Sequence, residues 1–402
     1  MTDLSSPGTS IPADDLEVRF VDKPADVARS LEPVDAEVVG VDVERADAHH
    51  YYRRAALIQV GVEGHCVLLD AVAIERFPEV DRFFNSDRLM VLHALQNDLE
   101  PLQGRGISPD RVADTALAAT VLGLPTGLGS LLEELLGVHL DGDKSAYQRA
   151  DWEARPIEPG MAAYAAGDVV HLPALWAELR DRLADAGRTH WYEQELAATI
   201  EQSGEDTRDW SRVKGSGRLS DRQRTILRAV WEAREHAARE HDIAPNRLLH
   251  DDVLRDLATD PPRTEAQLVR RSRRRRSLLR EHAERLLAAV ETGMDAPPET
   301  SSSTRPRRRD DRDVYDALRK RRAQVAEDLG IDAGVLAPSR PLWQAVVGDP
   351  VDASELCALA GFNRWRSGLL ADPLWETYLD VRSRANGEAV GEIHDPSGPD
   401  LG

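Results

Sequence analysis

The stretch Val38–Glu44, VVGVDVE, constrains this chain more than any other. Val38, Val39, Val41 and Val43 are β-branched and fit a pleated strand. Asp42 and Glu44 stand two residues apart, so strand alternation sends both carboxylates to one face. Two acids together on a valine-rich strand are unfavourable unless a cation compensates them. A pair of divalent metals explains the pattern economically, and it requires further acids from elsewhere in the chain. At this point the alternative is an edge strand whose acids face water.

With 402 residues the chain has room for two or three domains. No stretch has the pattern of a signal peptide or a membrane span, so the expectation is a soluble, cytoplasmic protein with no membrane partner. Cys66 and Cys357 are the only cysteines and lie far apart, which excludes a disulfide framework and a cysteine zinc site. The formal charge of -20 argues against a generally basic nucleic-acid coat. Positive charge is concentrated in two runs, Arg270–Arg276 and Arg305–Arg309. The first reads either as a solvated face or as a sequence-independent phosphate track.

Along the chain, residues 1–16 read as a disordered N-terminus. Strands are expected at Val38–Glu44, Ala55–Val62 and Cys66–Leu69, joined as an antiparallel meander, and at Leu89–His93. Helices are expected at Ala73–Phe84, Gln96–Leu102, Val112–Leu122 and Leu128–Leu136, the last closed by Gly137. The polar stretch Leu140–Arg155 reads as a loop, and Pro159 opens one long helix from Met161 to Ala186. Residues 17–200 thus form an α/β domain. Beyond it every periodic segment is helical. The pattern gives one all-α domain over 215–293, a linker over 294–311, a second all-α domain over 312–385 and a flexible tail over 386–402. The two helical segments share a crude pattern, LRAVWEAREHAAREHDI followed by APNRLLHDDVL against LRKRRAQVAEDLGI followed by APSRPLWQAVV, which reads as an internal repeat.

Two more carboxylates stand out. Asp98 follows an apolar strand, where ligand sites form in α/β sheets. Asp168 lies inside an apolar helix, four residues after Tyr164 and on the same helical face. Singly, Asp98 is compatible with a helix-start acid and Asp168 with a solvent-facing residue. Together with Asp42 and Glu44 they make an ordered set of four acids and a tyrosine.

That set, Asp42-x-Glu44, Asp98 and Tyr164-x-x-x-Asp168, resembles the three motifs of the DEDDy 3′–5′ exonucleases, and within them the ribonuclease D family. Further local matches are Leu57-Ile58-Gln59, Asp114-Thr115, Lys144-Ser145, Asp151-Trp152 and Tyr164-Ala165-Ala166. The helical segments resemble HRDC domains. The resemblance implies a ribonuclease H-like exonuclease domain, a mixed sheet flanked by helices, followed by two HRDC-type domains. It implies two divalent cations, Mg²⁺ or Mn²⁺, held by Asp42, Glu44, Asp98 and Asp168. Asp42 would bridge both ions, Glu44 and Asp168 would complete the one that activates the attacking water, and Asp98 would act on the other through water. Tyr164 would orient the nucleophilic water. The product would be nucleoside 5′-monophosphates released from RNA 3′ ends, with tRNA precursors or other structured RNA bearing a single-stranded 3′ end as substrate. Arg45 departs from the family pattern, which places an apolar or aromatic residue after the acid.

His93, Gln96, Asn97, Lys144, Tyr147 and Arg149 are the candidate substrate contacts. His93 also reads as a structural strand-end histidine. Gln59 reads as a structural hydrogen bonder, and Asp114 as a residue that caps or braces its helix. The loop His49–Tyr52 reads either as a base-stacking surface or as a solvated loop. Two other functions compete: a 3′–5′ exodeoxyribonuclease, separated by contact to the 2′-hydroxyl, and a non-catalytic HRDC nucleic-acid-binding protein.

Overall fold

The computed structural model describes residues 16–45, 49–77, 82–140, 147, 150–203, 208–271, 276–298, 308 and 310–391. The expected disorder of residues 1–16 falls almost wholly outside them. A six-stranded mixed sheet is built from β1 (Glu17–Val21), β2 (Val38–Arg45), β3 (Ala55–Val62), β4 (His65–Asp70), β5 (Leu89–Leu92) and β6 (Val112–Asp114), in the order β1-β4-β3-β2-β5-β6. The meander β2-β3-β4 is antiparallel, as the short connections require. The β1–β4, β2–β5 and β5–β6 pairs are parallel. β2 therefore sits inside the sheet, and its odd-numbered valines Val39, Val41 and Val43 are buried.

The helices that follow in order are α1 (Val27–Leu31), between β1 and β2, then α2 (Leu99–Gln103), α3 (Thr115–Leu122), α4 (Leu128–Leu136), α5 (Pro159–Val170), α6 (Leu172–Asp185) and α7 (Thr189–Gln202). Gly137 closes α4 with a φ of 66°, a left-handed conformation that suits glycine.

Several expected elements differ. Glu17–Val21 is a strand, with its apolar residues on too few positions to reveal it beside a polar N-terminus. The helix expected over Ala73–Phe84 is absent over 73–77, and of its described residues only 82–84 are helical. Asp70 ends β4 and its Oδ1 accepts the N–H groups of Val72 and Ala73, which holds a turn where a helix was expected. Val112–Asp114 is an edge strand rather than the first turn of α3, because parallel pairing with β5 takes its backbone groups. The expected long helix Met161–Ala186 breaks at His171. Pro173 supplies no N–H for the carbonyl of Val169 and its ring crowds that carbonyl, so α5 and α6 are separate. The first part of the tail expected over 386–402 is helical to Gly391, and the rest lies outside the described residues.

The chain divides into two compact units. The first takes in Met1–Thr115, Leu132–Ala177 and Thr199–Ser302, and the second Ala116–Leu131, Glu178–Ala198 and Ser303–Gly402. The first unit ends in α8 (Asp221–Glu240), α9 (Pro245–Leu248), α10 (Asp251–Thr259), α11 (Glu265–Arg271), α12 (Arg276–Glu281) and α13 (Ala283–Asp295). Ser220 and Gln223 form a reciprocal capping box at the start of α8, and α8 packs on α10 and α13 around Ile226, Val230, Leu254 and Leu286. The second unit contains α14 (Asp311–Leu329), α15 (Ala333–Leu336), α16 (Ser339–Gly348), α17 (Ala353–Leu359) and α18 (Arg364–Gly391), packed around Leu318, Leu342, Leu356 and Leu370. Trp191 of α7 stacks on Trp365 at 4.8 Å within this unit, and Glu195 pairs with Arg366.

The repeat is present, in a register different from the expected one. Buried Arg234 on α8 donates to the carbonyl of Leu249 and to Asp251, 15 and 17 residues later. Buried Arg322 on α14 donates to the carbonyl of Ala337 and to Ser339 Oγ, again 15 and 17 residues later. Each receives a one-turn helix that stops in extended backbone, with φ of -150° at Leu249 and -151° at Ala337. Sequence similarity had matched Ala244-Pro245 to Ala337-Pro338. The shared arginine instead sets Leu249 against Ala337.

Candidate active site

The site starts from a dent in the sheet. Gly40 on β2 and Gly61 on β3 are direct cross-strand partners. A β-carbon at Gly40 would collide with the carbonyl oxygen of Val169 on α5, and one at Gly61 would stand 2.6 Å from Val169 Cγ2. Absence of both side chains lets α5 lie close against this face. The next same-face positions on β2 are Asp42 and Glu44. α5 carries Tyr164 and Asp168 shortly before Val169, so the close approach sets these side chains over the two strand acids.

Carboxylate oxygens of Asp42, Glu44 and Asp168 all lie within 4.8 Å of one another. Asp98 enters from the other side of β2, at the N-terminus of α2 after the turn that ends β5. It is 3% exposed, it caps nothing, and its Oδ2 has no hydrogen-bond partner among the described residues.

These acids hold protons more tightly than ordinary carboxyls. Burial pushes Asp42 up to about 6. Burial, followed by the charges of Asp42 and Asp168, pushes Glu44 up to about 9. Asp98 is raised well above the usual range by burial and then by Asp42. The Arg45 guanidinium, the departure noted in the sequence, offsets part of the effect at all three. Tyr164 is raised by burial, by Asp168 and Glu44, and by the hydrogen bond its hydroxyl donates to Asp168; it is a phenol, not a phenolate. Such a set has strong oxygen donors, excess negative charge and a buried orphan atom. It fits hard divalent cations, and the all-oxygen donor set disfavours zinc.

The other candidates are placed as follows. His93 is half-buried; its Nδ1 lies 2.9 Å from Thr115 Oγ1, whose hydroxyl donates to the carbonyl of Leu92. That pattern gives Nδ1 the proton and a structural role at the strand end. Gln96 and Asn97 are exposed in the single 3-10 turn Leu95–Asn97 that leads into Asp98. The Tyr147 ring lies 5.5 Å from that of Tyr164, so it is brought to the site. Trp152 lies 6.3 Å from Tyr164 and its indole N–H donates to the carbonyl of Tyr147. Lys144 and Arg149 lie outside the described residues.

Gln59, expected to be a structural hydrogen bonder, is fully buried opposite Asp42, and neither of its amide atoms has a partner among the described residues. Asp114 acts on the turn that precedes Asp98. Its two oxygens accept the N–H groups of Ala94 and Leu95, pinning the left-handed Ala94 (φ 65°) and with it the turn before Asp98. The sequence reading missed Arg155, which pairs with buried Asp70 at 2.8 Å and donates to the carbonyls of Trp152 and Ala56. It ties the Trp152 segment to the sheet. A lone arginine before a proline carries no signal of that role.

The loop at His49–Tyr52 is held by polar contacts of His50 and Tyr51, while the Tyr52 ring stays 46% exposed. His50 bridges Asp242 at 2.9 Å and Glu153 at 3.2 Å, and Asp242 Oδ1 accepts the N–H groups of Tyr51 and Tyr52. Arg208 lies 3.9 Å over the Tyr51 ring, and Arg239 donates to the Tyr51 hydroxyl. The loop clasps α8 and α9 within the first unit.

Comparisons with known proteins identify the domains of this chain. A family model described as 3′–5′ exonuclease matches residues 18–184, and an HRDC domain model matches residues 223–290. A protein named ribonuclease D from Jannaschia sp. (strain CCS1) is 32% identical over 383 residues, covering 88% of this chain and 93% of the relative. A ribonuclease D from Zymomonas mobilis is 29% identical over 329 residues, 78% of this chain and 83% of the relative. Among solved structures, Escherichia coli RNase D, described as an exoribonuclease involved in structured RNA processing, superposes with a TM-score of 0.73 at 25% identity, over 91% of this chain and 99% of that one.

Proposed function

The chain belongs to the ribonuclease D family of 3′–5′ exoribonucleases, and from that premise we propose that its acid cluster is the catalytic centre. In this reading Asp42, Glu44, Asp98 and Asp168 hold two divalent cations, Mg²⁺ or Mn²⁺, and nucleoside 5′-monophosphates leave from RNA 3′ ends. The observation that carries it is the gathering of three carboxylates within 4.8 Å, together with buried Asp98, whose Oδ2 has no hydrogen-bond partner among the described residues. When bound, such cations neutralise phosphate charge and lower the pKa of a coordinated water. Asp42 shares a strand face with Glu44 and its charge also acts on Asp98, so it would hold the cations together with both. Tyr164 offers a hydroxyl, already oriented by Asp168, to position the attacking water without itself ionising. The rings of Tyr147 and Trp152 pack beside that of Tyr164. His93, Gln96 and Asn97 flank Asp98, and the exposed amides of the last two suit contact with the terminal sugar or phosphate.

We assign the exonuclease domain to residues 17–200, the first HRDC domain to 215–293 and an HRDC-like second domain to 312–385; the shared arginine pattern supports the last. Arg270 and Arg276 are exposed on the first helical domain, and they suit a phosphate track for RNA with a single-stranded 3′ tail, tRNA precursors included. The test is digestion of matched 3′- and 5′-labelled RNA and DNA with added Mg²⁺ or Mn²⁺. RNA should shorten from its 3′ end to mononucleotides, faster than DNA. Asp42→Asn and Asp168→Asn should each lower the rate at least about a thousandfold, several kcal/mol of lost transition-state stabilisation, with unchanged circular dichroism. Full activity in either variant would sink the assignment.

A further inference from the structure

A second cluster of metal-ligating side chains lies in the first helical domain, apart from the four acids. His241 is the residue that ends α8, and Glu281 and His282 form the junction between α12 and α13. Each contributes one donor atom, and the three atoms lie within 4.8 Å of one another. His241 Nε2 stands 3.6 Å from Glu281 Oε1. The two imidazoles meet edge to face, with centroids 4.8 Å apart and planes at 72°.

The ordinary explanations do not cover His282. It stands at the N-cap of α13, yet its side chain makes no capping hydrogen bond. It is 5% exposed, and its Nε2 is buried with no hydrogen-bond partner among the described residues. A buried imidazole nitrogen without a partner is unfavourable in a fold that has other choices at a helix start. A surface ion pair between His241 and Glu281 would account for those two and leave His282 unexplained. The adjacent Glu240 is already engaged, since Arg285 holds it at 2.7 Å.

We propose that His241, Glu281 and His282 form a cation site for a borderline transition ion of the Zn²⁺ class. Two imidazoles and one carboxylate suit that class, whereas the all-carboxylate cluster suits Mg²⁺ or Mn²⁺. Donors around tetrahedral Zn²⁺ stand about 3.4 Å apart. The His241–Glu281 spacing is close to that, and rotation of these two exposed side chains closes the remainder. Their exposure also gives the ion an entry path and leaves a fourth position for water. A bound ion ties the C-terminal end of α8 to the start of α13. It clips together two segments far apart in sequence and stabilises the helical domain.

Co²⁺ reports on such a site through its visible absorption. The untagged full-length chain, in excess Mg²⁺ to fill the carboxylate cluster, is titrated with Co²⁺ and then with Zn²⁺. One equivalent of Co²⁺ should give visible bands that Zn²⁺ abolishes, and Zn²⁺ should raise the melting temperature. His241→Ala and Glu281→Gln, both at exposed positions, should each weaken binding at least tenfold and erase the thermal shift, while Asp42→Asn keeps both signals. His282→Gln, checked by circular dichroism, should behave like His241→Ala. Lack of Co²⁺ bands in the parent chain, or bands undiminished in both His241→Ala and Glu281→Gln, would overturn the site.

Discussion

Asp42 and Glu44 show how far a carboxyl departs from its behaviour in water when acids are gathered in a sheet. Both are raised in the folded chain, to about 6 and about 9, chiefly by burial. A folded state that keeps protons the unfolded chain has released gains stability from acid. That contribution is full below about pH 4, where both states are protonated. It is lost progressively as the pH climbs to about 9. The chelator-treated protein should therefore melt at lower temperature at pH 9 than at pH 5. Added Mg²⁺ should flatten the profile, because a cation relieves the same repulsion that the protons relieve. A chelated protein whose melting point rises between pH 5 and 9 would contradict this account. At this scale the sequence was informative about the acids and silent about their neighbours. Alternation places Asp42 with Glu44, and helical spacing places Tyr164 with Asp168. The hold of Asp114 on Ala94 and the position of Gln59 opposite Asp42 span 20 and 17 residues, and no local periodicity records them.

At the level of elements, the placement of α5 matters most. Gly40→Ala puts a methyl group against the backbone oxygen of Val169, which has no rotamer by which to yield. We expect it to destabilise the chain by about 3 kcal/mol in urea unfolding. It should also lower the exonuclease rate more than the loss of folded protein explains, because Asp168 moves with the helix. A Gly40→Ala protein of unchanged stability would show that α5 has room to retreat. Strand and helix types were largely legible, but their ends were not. Val112–Asp114 looks helical because its apolar residues suit either state, and only pairing with β5 decides. The break at His171 was in principle readable from Pro173. The turn at Asp70 depends on two backbone hydrogen bonds that a hydropathy pattern does not report.

Across the whole molecule, no helix among the described residues is long and apolar enough to cross a membrane. Each of the two helical segments carries a buried arginine at a matching position, Arg234 and Arg322. Arg234→Met and Arg322→Met should each destabilise by about 3 kcal/mol, because each strands carbonyls or polar side chains that the guanidinium serves. Chemical unfolding of the two variants distinguishes a shared scaffold from a coincidence; a large effect in one and none in the other would indicate coincidence. The repeat was visible in the sequence only as a likeness of composition. Its true register depends on hydrogen bonds that span 15 and 17 residues. The clasp from His50 to Asp242 and Glu153 was likewise hidden, because a polar aromatic loop looks the same whether it meets solvent, a base or another helix.

The facing glycines of β2 and β3 have one more implication. Where a helix rests on side chains, its height above a sheet varies with every repacking of methyl groups. Here the bearing surface at Gly40 is peptide against peptide, whose thickness does not depend on rotamers. Repacking elsewhere in the apolar layer thus has little leverage on the gauge between strand and helix at this point, and the reach between Asp42 and Asp168 is set by backbone contact, with the Val169 side chain at Gly61 beside it.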